Sequence, residues 1–469
     1  LGRRAVWLDE GFTVMHTDLP WSTFWEIAFD REMNAVLHST VIHLLPWDHG
    51  SLWALRLPSA ISVILLVPVT YLLGRRLFDP AVGALAAVFI TSNGFVVEYG
   101  QEGRGYALLI LVGAASSWLF VRALQQDDAP SWAGWVLVSC LLGYAHFFGV
   151  LVLVAQVAAL GVRWLSRRTL DTPWRPAIIG LVCIGLAHLP IAWFFLAGGS
   201  KGQNDGLPPF TVERFVGIWV RLAGNLGVLL VVLVAVPCLV AVWTLWQSRR
   251  RIDEQAWSIA FCVLGVALPV VLVGLVSLVD TLFVARYFVE VIPFLALLAA
   301  FGLTRLRPTW AQAVVGAAIV VLGLAAVVTW HSTGSREDTN GLVGFLEEPG
   351  TVQAGDAVAF DPWFARIPTE VELWHHDELA EQLVPAYPAE PWEEWLPDDD
   401  PGELEDVAES SLAEIDADRV WVVQRNGVDG STIAPLDPGL ADALDQLGYE
   451  EVESETFDGL ALTLYERGG

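Results

Sequence analysis

Lysine is nearly absent from this chain of 469 residues. Of its 26 basic residues, 25 are arginine, and Lys201 is the only lysine. Cysteine is scarce too, and the four present lie inside apolar runs without metal-ligand spacing: Cys140, Cys183, Cys238 and Cys262. We therefore expect these thiols to pack in the apolar interior, and neither a disulfide framework nor a zinc site is predicted.

Charge is sparse and balanced over the first 330 residues, with 19 acidic and 21 basic residues. The stretch from His331 to Gly469 instead carries 34 acidic residues against five arginines, a net charge of −29. An acidic, lysine-poor domain suits very salty surroundings, where screening reduces its self-repulsion. We hypothesise a halophilic, haloarchaeal source, and so acidic a surface argues against nucleic acid as a partner.

Apolar residues are abundant: 54% of the chain is hydrophobic, with 22 Trp, 22 Phe and a mean hydropathy of +0.52. The chain is therefore predicted to be a polytopic, mainly α membrane protein with about ten spans. The apolar runs are 56–73, 82–97, 105–123, 132–145, 147–165, 176–197, 224–246, 257–279, 287–304 and 309–330. The fourth and fifth runs meet at 143–148, so they form either two short helices or one bent helix.

Arginines mark alternate connections between these runs and predict the orientation, because short cytoplasmic loops collect basic residues. The basic connections are at 75–76, 122, 163–175, 249–251 and 305–307. Residues 1–52, the loops at 98–104, 198–223 and 280–286, and the acidic tail are then extracytoplasmic. Since LGRRAVW is neither a signal nor a span, we expect an upstream span that this sequence lacks.

Two domains are predicted on this basis. Residues 1–330 form the membrane domain, whose first outward loop, 1–52, contains PWSTFWEIAF, a stretch with the pattern of an interfacial helix. Residues 331–469 form a small extracytoplasmic α/β domain, with strand-like runs DAVAF, RVWVVQ and LALTLYE and a helix-like LADALDQLG. The run EEWLPDDDPGELED is predicted to be a solvated loop rather than a metal site.

Charged residues recur in the outward loops, where charges at a bilayer edge are costly unless they snorkel, pair or line a watery cavity. The candidates are Asp9 and Glu10 in WLDEGFT, Glu98, Glu102 and Arg104 in VEYGQEGRGYAL, Lys201 in GGSKGQNDG, and Arg286 in FVARYFVEVIPF. Arg56 and Arg221 are expected to snorkel at the interface. A carboxylate can accept a proton from an attacking hydroxyl, and a cation can hold a leaving phosphate. Together these groups point to glycosyl transfer from a lipid phosphate.

Several motifs, in order, resemble the polytopic GT-C glycosyltransferases. They are WLDEGFT, NAVLHSTVIHLL, ALRLPSAISVILLVPVTYLLGRRLF, VEYGQEGRGYALLIL, YAHFFGVLVLVAQ and ARYFVEVIPFLALLAA. Over about residues 1–330 the chain is most similar to the protein mannosyltransferase and lipid A aminoarabinose transferase group. The resemblance implies a GT-C fold and a single displacement with inversion at the sugar.

Site residues follow from the resemblance by position. It implies catalytic carboxylates at Asp9, with Glu10 beside it, and at Glu102, donor phosphate binding by Arg104, Arg286 and Tyr287, and supporting positions at Gln101, Tyr106 and His146. Lys201, as a phosphate contact, and Glu98, as a supporting position, are added because of their charge in the outward loops. Relatives carry His-Pro-Pro where this chain has Asn34 to His38, so we expect His38 to pack rather than act. Two alternatives stay open for His146, a site role or a helix cap, and for Lys201, a phosphate contact or a solvated loop residue.

The predicted function is transfer of a sugar, a mannose-like hexose, from a dolichyl or polyprenyl phosphate to an extracytoplasmic protein, glycan or lipid. A transporter or flippase of lipid-linked sugars is the alternative, and an anchored binding module the third. Charges at the outer rim rather than the midplane, and the lack of repeated halves, count against transport. No cofactor is predicted with certainty, and an Asp-Glu pair leaves a divalent cation open. The sequence leaves the tail a role in acceptor access rather than in chemistry.

Overall fold

The structure is a computed structural model that describes residues 2, 4–30, 32–45, 51–167, 169–197, 209–279, 281–332, 336–387, 417–426 and 433–468. Its contacts divide the chain into two compact units. The first unit consists of Leu1–Ile27, Ile42–Leu55 and Thr333–Gly469, and the second of Ala28–Val41 and Arg56–Ser332.

Helices dominate the chain up to residue 332. They are α1 (Leu8–Asp18), α2 (Trp21–Asp30), α3 (Val36–His43), α4 (Leu52–Leu77), α5 (Pro80–Thr91), α6 (Gly94–Tyr99), α7 (Tyr106–Gln126), α8 (Ala129–Ser139), α9 (Leu142–Ala145), α10 (Gly149–Leu165), α11 (Trp174–Ala187), α12 (Leu189–Ala197), α13 (Val212–Ala223), α14 (Val228–Gln247), α15 (Glu254–Val276), α16 (Ile292–Leu303) and α17 (Thr309–Ser332). Met33–Ala35 and Ala285–Val291 are 3₁₀ helices.

These helices cover all ten predicted apolar runs, and the mainly α class is confirmed. Within the described residues, six helices are long and apolar enough to cross a membrane, or seven if α11 and α12, bent by 42°, form one span. The apolar helices α5 and α10 and the stretch Ala129–Ala145 are shorter. The fourth and fifth runs are separate helices, because regular α-helix stops at Ala145 and resumes at Gly149.

Local capping explains one break in the predicted spans. The run 82–97 is split between α5 and α6 at Ser92 and Asn93. The Asn93 side-chain oxygen accepts hydrogen bonds from the backbone N–H groups of Phe95 (3.0 Å) and Val96 (3.1 Å). An Asn at this position satisfies N–H groups that a helix start leaves without partners, so a new helix begins here and leads to Glu98.

The C-terminal residues of the first unit form an α/β structure around a five-stranded sheet of order β2-β1-β3-β5-β4. Its elements are α18 (Thr339–Leu346), β1 (Asp356–Asp361), a 3₁₀ helix (Trp363–Ala365), α19 (Arg366–Leu373), α20 (Asp377–Ala380), β2 (Leu383–Tyr387), β3 (Arg419–Arg425), α21 (Pro438–Gln446), β4 (Tyr449–Phe457) and β5 (Leu460–Arg467). Strand β1 pairs parallel with β2 and β3, and β5 pairs antiparallel with β3 and β4.

The three strands and the helix predicted for the tail are confirmed as β1, β3, β5 and α21. Strands β2 and β4 were not predicted, and EEWLPDDDPGELED lies outside the described residues. Side chains of β1 alternate between two apolar clusters, with Val358 and Phe360 in one and Ala357 and Ala359 in the other. This period of two buries both faces of the central strand.

Helix α1 belongs to the same unit as the sheet, whereas the sequence-based division at residue 330 placed it with the spans. Met15 and Leu19 of α1 share an apolar cluster with Ile367 of α19. Val14 of α1 and Val371 of α19 share a second one. Helix α1 therefore packs against the C-terminal part of the chain.

A glycine in the second unit is fixed by close helix packing. A Cβ at Gly302 would overlap the carbonyl oxygen of Pro237, a backbone atom of α14. We expect Gly302→Ala to separate α14 from α16 and to cost about 1–3 kcal/mol or more of stability, as overpacking does. Thermal unfolding of the purified protein measures this. The matched control is Gly185→Ala in α11, where a Cβ meets nothing within 4 Å, and equal melting temperatures for the two variants would contradict the prediction.

Candidate functional site

Helix α1 presents the first pair of candidate carboxylates. Trp7 precedes the helix in extended conformation, and Asp9 and Glu10 lie in its first turn. Helix N-termini favour negative side chains, because several N–H groups there lack intrahelical partners. Glu10 is 1% exposed and Asp9 is half-buried. The WLDEGFT motif thus becomes a helix start with one carboxylate in the interior.

Glu98, in the second unit, is held in an ion pair. Its carboxylate accepts a hydrogen bond from Arg221 at 2.9 Å, and the Arg221 guanidinium also lies 4.5 Å from the ring centre of Phe95. The expectation that Arg221 snorkels is wrong, because this arginine reaches a buried carboxylate instead. Arg56, the other residue expected to snorkel, is 2% exposed and is likewise not an interfacial side chain.

The remaining charged residues of the VEYGQEGRGYAL motif lie between α6 and α7. Glu102 is buried at 5% exposure. The side-chain nitrogen of Gln101 contacts the His331 ring at 3.3 Å. Arg104 is largely buried and forms an ion pair with Glu32 at 3.8 Å. Glu32 was missed from the sequence, since nothing near it in the chain marks it as a partner of Arg104.

The backbone of this loop is fixed through Ser59 and His38. The Ser59 hydroxyl donates to the carbonyl of Arg104 at 3.2 Å, and the His38 Nε2 lies 3.3 Å from the same hydroxyl. A Cβ at Gly105 would lie 2.7 Å from the carbonyl oxygen of Ala145, so the loop approaches that residue closely. Burial, and then the Arg104 charge, lowers the pKa of His38 to about 3. His38 is therefore a neutral, buried packing residue, as its sequence context indicates.

Four rings gather next to this loop and join three separate motifs. The His146 ring centre lies 5.1 Å from that of Tyr106, 5.4 Å from that of Phe148 and 5.9 Å from that of Tyr287. Tyr287 stacks on Phe148 at 4.5 Å. The Arg286 guanidinium carbon lies 5.5 Å from the Tyr287 ring centre. Rings from the third, fifth and ninth apolar segments, together with His146 just before the fifth, therefore meet at one place.

His146 lies close enough to Arg104 and Arg286 for their charges to affect its pKa. Its Nδ1 accepts a hydrogen bond from the backbone N–H of Phe148 at 3.3 Å. Burial, followed by the charges of Arg104 and Arg286, lowers the pKa of His146 to about 3. The ring is neutral near pH 7, and both guanidinium groups act on it. The backbone N–H of His146 caps α9 at the carbonyl of Leu142, whereas its ring accepts an N–H and belongs to the ring cluster. A role for His146 in the site stays a prediction.

Glu290 was also missed, although it had a signal in the sequence. It lies inside the apolar run that follows Arg286, where a charged residue is costly. Its two carboxylate oxygens are buried and have no hydrogen-bond partner among the described residues. Lys201, the remaining predicted phosphate contact, lies outside the described residues.

No metal site is evident in the part of the chain that the structure describes, since no group of three or more His, Cys, Asp or Glu side chains has a suitable arrangement there. A cavity of about 750 Å³ lies in the second unit, lined among others by Arg76, Arg163 and Arg305. None of the candidate site residues lines it. The guanidinium groups of the second unit carry the positive charge that suits an anionic ligand.

Because His146 is buried in the ring cluster, we expect the stability of the folded protein to fall at acidic pH. An unfolded chain titrates His146 near pH 6.5 and the folded one near pH 3, so between these values the unfolded state binds more protons and acidification favours unfolding. The loss is about 1.4 kcal/mol per pH unit below 6.5. His146→Phe keeps the ring and removes this loss, so its melting temperature should fall less than the wild type's between pH 7 and pH 5. His375→Phe, at an exposed position, should behave as the wild type, and equal acid sensitivity of all three proteins would contradict the prediction.

Comparison with known proteins gives the fold. A family model described as dolichyl-phosphate-mannose-protein mannosyltransferase matches residues 40–193. No curated protein matches the sequence significantly. ArnT from Cupriavidus metallidurans in the apo state has a TM-score of 0.61 at 13% identity, covering 99% of this chain and 94% of that one. ArnT from the same organism bound to undecaprenyl phosphate has a TM-score of 0.60 at 14% identity, covering 98% of this chain and 94% of that one.

A more distant structural match has the same class of fold. The Archaeoglobus fulgidus oligosaccharyltransferase in the apo form has a TM-score of 0.50 at 10% identity, covering 93% of this chain and 66% of that chain. At these identities the matches establish architecture only. The chain has a GT-C fold similar to that of ArnT, with a small C-terminal sheet domain, as the sequence predicted.

Proposed function

We propose that this protein is a multi-pass membrane glycosyltransferase that transfers a sugar from a polyprenyl or dolichyl phosphate to an extracytoplasmic protein, glycan or lipid. The observation that carries the proposal is the convergence of Arg104, Arg286, Tyr287 and His146 within a GT-C fold. The match of residues 40–193 to the mannosyltransferase family and the binding of undecaprenyl phosphate by ArnT support it. A mannose-like hexose is the proposed sugar.

Arg104 and Arg286 are proposed to hold the donor phosphate. A guanidinium offers two parallel N–H donors to phosphate oxygens, so it binds the charge and fixes its orientation. As the bond between the sugar and the phosphate oxygen breaks, negative charge grows on that oxygen and both cations stabilise it. Tyr287 and Tyr106 are proposed to donate from their hydroxyls to the same group, and Lys201 to add a further contact.

Asp9 is proposed as the general base. The acceptor hydroxyl attacks the anomeric carbon, the bond to the phosphate oxygen breaks, and Asp9 takes the hydroxyl proton. One displacement inverts the anomeric configuration and leaves a free polyprenyl phosphate. Glu10 and Glu102 are proposed to assist as further carboxylates, with Glu98 and Gln101 in supporting positions.

The orientation is part of the proposal. Arginines at alternate connections assign those connections to the cytoplasm. Asp9, the loop after α6 and the C-terminal residues then function outside. The domain division near residue 330 remains a proposal for the spans and the tail, although contacts group α1 with the tail. A haloarchaeal source remains a proposal supported by composition alone.

The deciding experiment supplies membranes containing the protein with a panel of radiolabelled polyprenyl-phosphate sugars and follows the label. Transfer of the label to a protein, glycan or lipid, with release of polyprenyl phosphate, supports the proposal. A transporter would move the labelled lipid across the membrane with its sugar–phosphate bond intact, and that result would refute it.

The proposed base predicts a loss of turnover without a loss of donor binding. Asp9→Asn keeps the shape of the side chain but removes the proton acceptor, so transfer should fall by about 100- to 10,000-fold. Glu10→Gln should lose less. Radiolabel transfer measures turnover, and retention of labelled donor by purified protein measures binding. Normal transfer by Asp9→Asn would remove Asp9 from the chemistry.

The proposed phosphate contact predicts a loss of donor binding, the reverse of what is expected for Asp9→Asn. Arg286→Ala should raise the donor dissociation constant by at least about tenfold, as loss of a charge-assisted hydrogen bond does. Arg286→Lys should lose less, because an ammonium retains the charge but not the planar fork. The control is Arg305→Ala, which removes an exposed guanidinium from the wall of the cavity of about 750 Å³, away from the candidate site residues. Unchanged donor affinity in both Arg286 variants would assign Arg286 to packing.

A further inference from the structure

The start of α1 depends on a residue that lies 329 positions away. The backbone N–H of Leu8 donates to Oε2 of Glu337 at 2.8 Å. Trp7, the residue before the helix, provides no side-chain cap. The first N–H groups of a helix need outside partners, and a carboxylate is the strongest acceptor for them. Glu337 thus acts as a remote cap on the turn that carries Asp9 and Glu10.

Glu337 is itself held in place. Its side chain is 4% exposed, and its Oε1 forms an ion pair with Arg425, the last residue of β3. The next residue, Asp338, donates its backbone N–H to the carbonyl of Asp458 at 2.8 Å. Asp458 lies in the turn between β4 and β5. The cap is therefore fixed to the sheet through a side chain on one side and through the backbone on the other.

The turn between β4 and β5 adds a steric constraint. Gly459 has a φ of +76°, and a Cβ there would overlap the carbonyl oxygen of Arg336. Only glycine fits this conformation and this close approach. The Arg336 guanidinium lies 4.1 Å from the ring centre of Trp7. Residues 336–338 are thereby held between the hairpin turn and the residues that lead into α1.

Further along, α1 approaches α19 so closely at Gly11 that a larger residue does not fit at this position. A Cβ at Gly11 would lie 2.6 Å from Cγ2 of Ile367 and 3.4 Å from its backbone carbonyl carbon. Ile367 is fully buried. Gly11 follows Glu10 directly, so the close approach fixes the rotation and height of the turn that holds both carboxylates.

We infer that the C-terminal sheet domain positions the carboxylate helix for reaction, with Glu337 as the main positioning residue. Glu337 touches neither substrate nor reacting atoms. It acts through the N–H of Leu8, next to Asp9. The inference rests on the proposed function in one respect, that Asp9 takes the proton from the acceptor. It changes the part assigned to the tail from acceptor access alone to support of the chemistry.

The test compares Glu337→Ala with Glu337→Gln in the full chain. Alanine removes the acceptor for the Leu8 N–H, whereas the glutamine oxygen can still accept it. With polyprenyl-phosphate mannose as the probe, kcat should fall by about 10- to 100-fold in Glu337→Ala, as for a base displaced by roughly 1 Å, with an unchanged KM for the donor. Glu337→Gln should stay within about threefold of the wild type in kcat.

Asp356 supplies the matched control. Its side chain is also 4% exposed and paired with an arginine, Arg419 at 3.2 Å, in the same domain. It accepts a hydrogen bond from the Trp421 ring N–H at 3.0 Å rather than from α1. Asp356→Asn should keep kcat and KM. If it lost as much turnover as Glu337→Ala, the effect would be one of domain folding, and the inference would be overturned.

A second measurement avoids the need for turnover. Hydrogen exchange of the peptide covering residues 8–18 should be faster in Glu337→Ala than in Asp356→Asn, because the cap of α1 is lost only in the former. Gly11→Ala, which forces α1 away from α19, should also lower kcat without raising the donor KM. Wild-type kcat in Glu337→Ala and Gly11→Ala would overturn the inference. Loss of turnover in Asp9→Asn would still stand in that case, so this failure is separate from a failure of the proposed function.

Discussion

The cost of burying a charge governs both units of this structure. An ion removed from water loses several kcal/mol of hydration, and only a well-placed partner restores it. In this structure buried carboxylates form ion pairs with arginines far away in the sequence: Glu98 is paired with Arg221, and Glu337 with Arg425. Each pair connects a loop or helix end to an element far away in sequence. The ends that carry the candidate carboxylates are thus fixed by electrostatics, and in α1 also by the close approach of Gly11 to Ile367.

The sequence predicts those features that depend on nearby residues. Apolar runs of sufficient length specify helices whatever their neighbours are, and all ten predicted runs are helical. Ordered motifs in the loops between apolar runs identify Arg104, His146 and Arg286, and the structure brings these residues to one cluster. Short continuous apolar runs specify β1 and β3, which are buried along most of their length. In each case the signal lies within a short stretch, and physical rules of period and composition suffice to read it.

The sequence does not predict the features that depend on pairing across the chain. Glu32 and Ser59 hold the side chain and backbone of Arg104, yet nothing in the sequence links either residue to Arg104. Strand β4 was missed because YEEVESETF carries four glutamates, which are typical of a solvated segment. Its exposed side chains fit the edge of the sheet, where charge prevents pairing with other chains. The role of Glu337 appears only once the tail is folded against α1.

The arginines of the tail are few, and each makes a contact within a domain whose other charges are acidic. The five arginines from residue 331 onward all have defined contacts: Arg336 with Trp7, Arg366 with Glu370, Arg419 with Asp356, Arg425 with Glu337 and Arg467 with Tyr449. Nearly all the remaining charge is acidic, so at low ionic strength its mutual repulsion weakens the domain. Because that same domain caps α1, loosening it releases the first turn and its carboxylates, whereas Arg104 and Arg286 belong to the other unit. On the inference above, a loss of stability of the sheet at low ionic strength would reach the first turn of α1 through Glu337, which accepts the Leu8 N–H and pairs with Arg425.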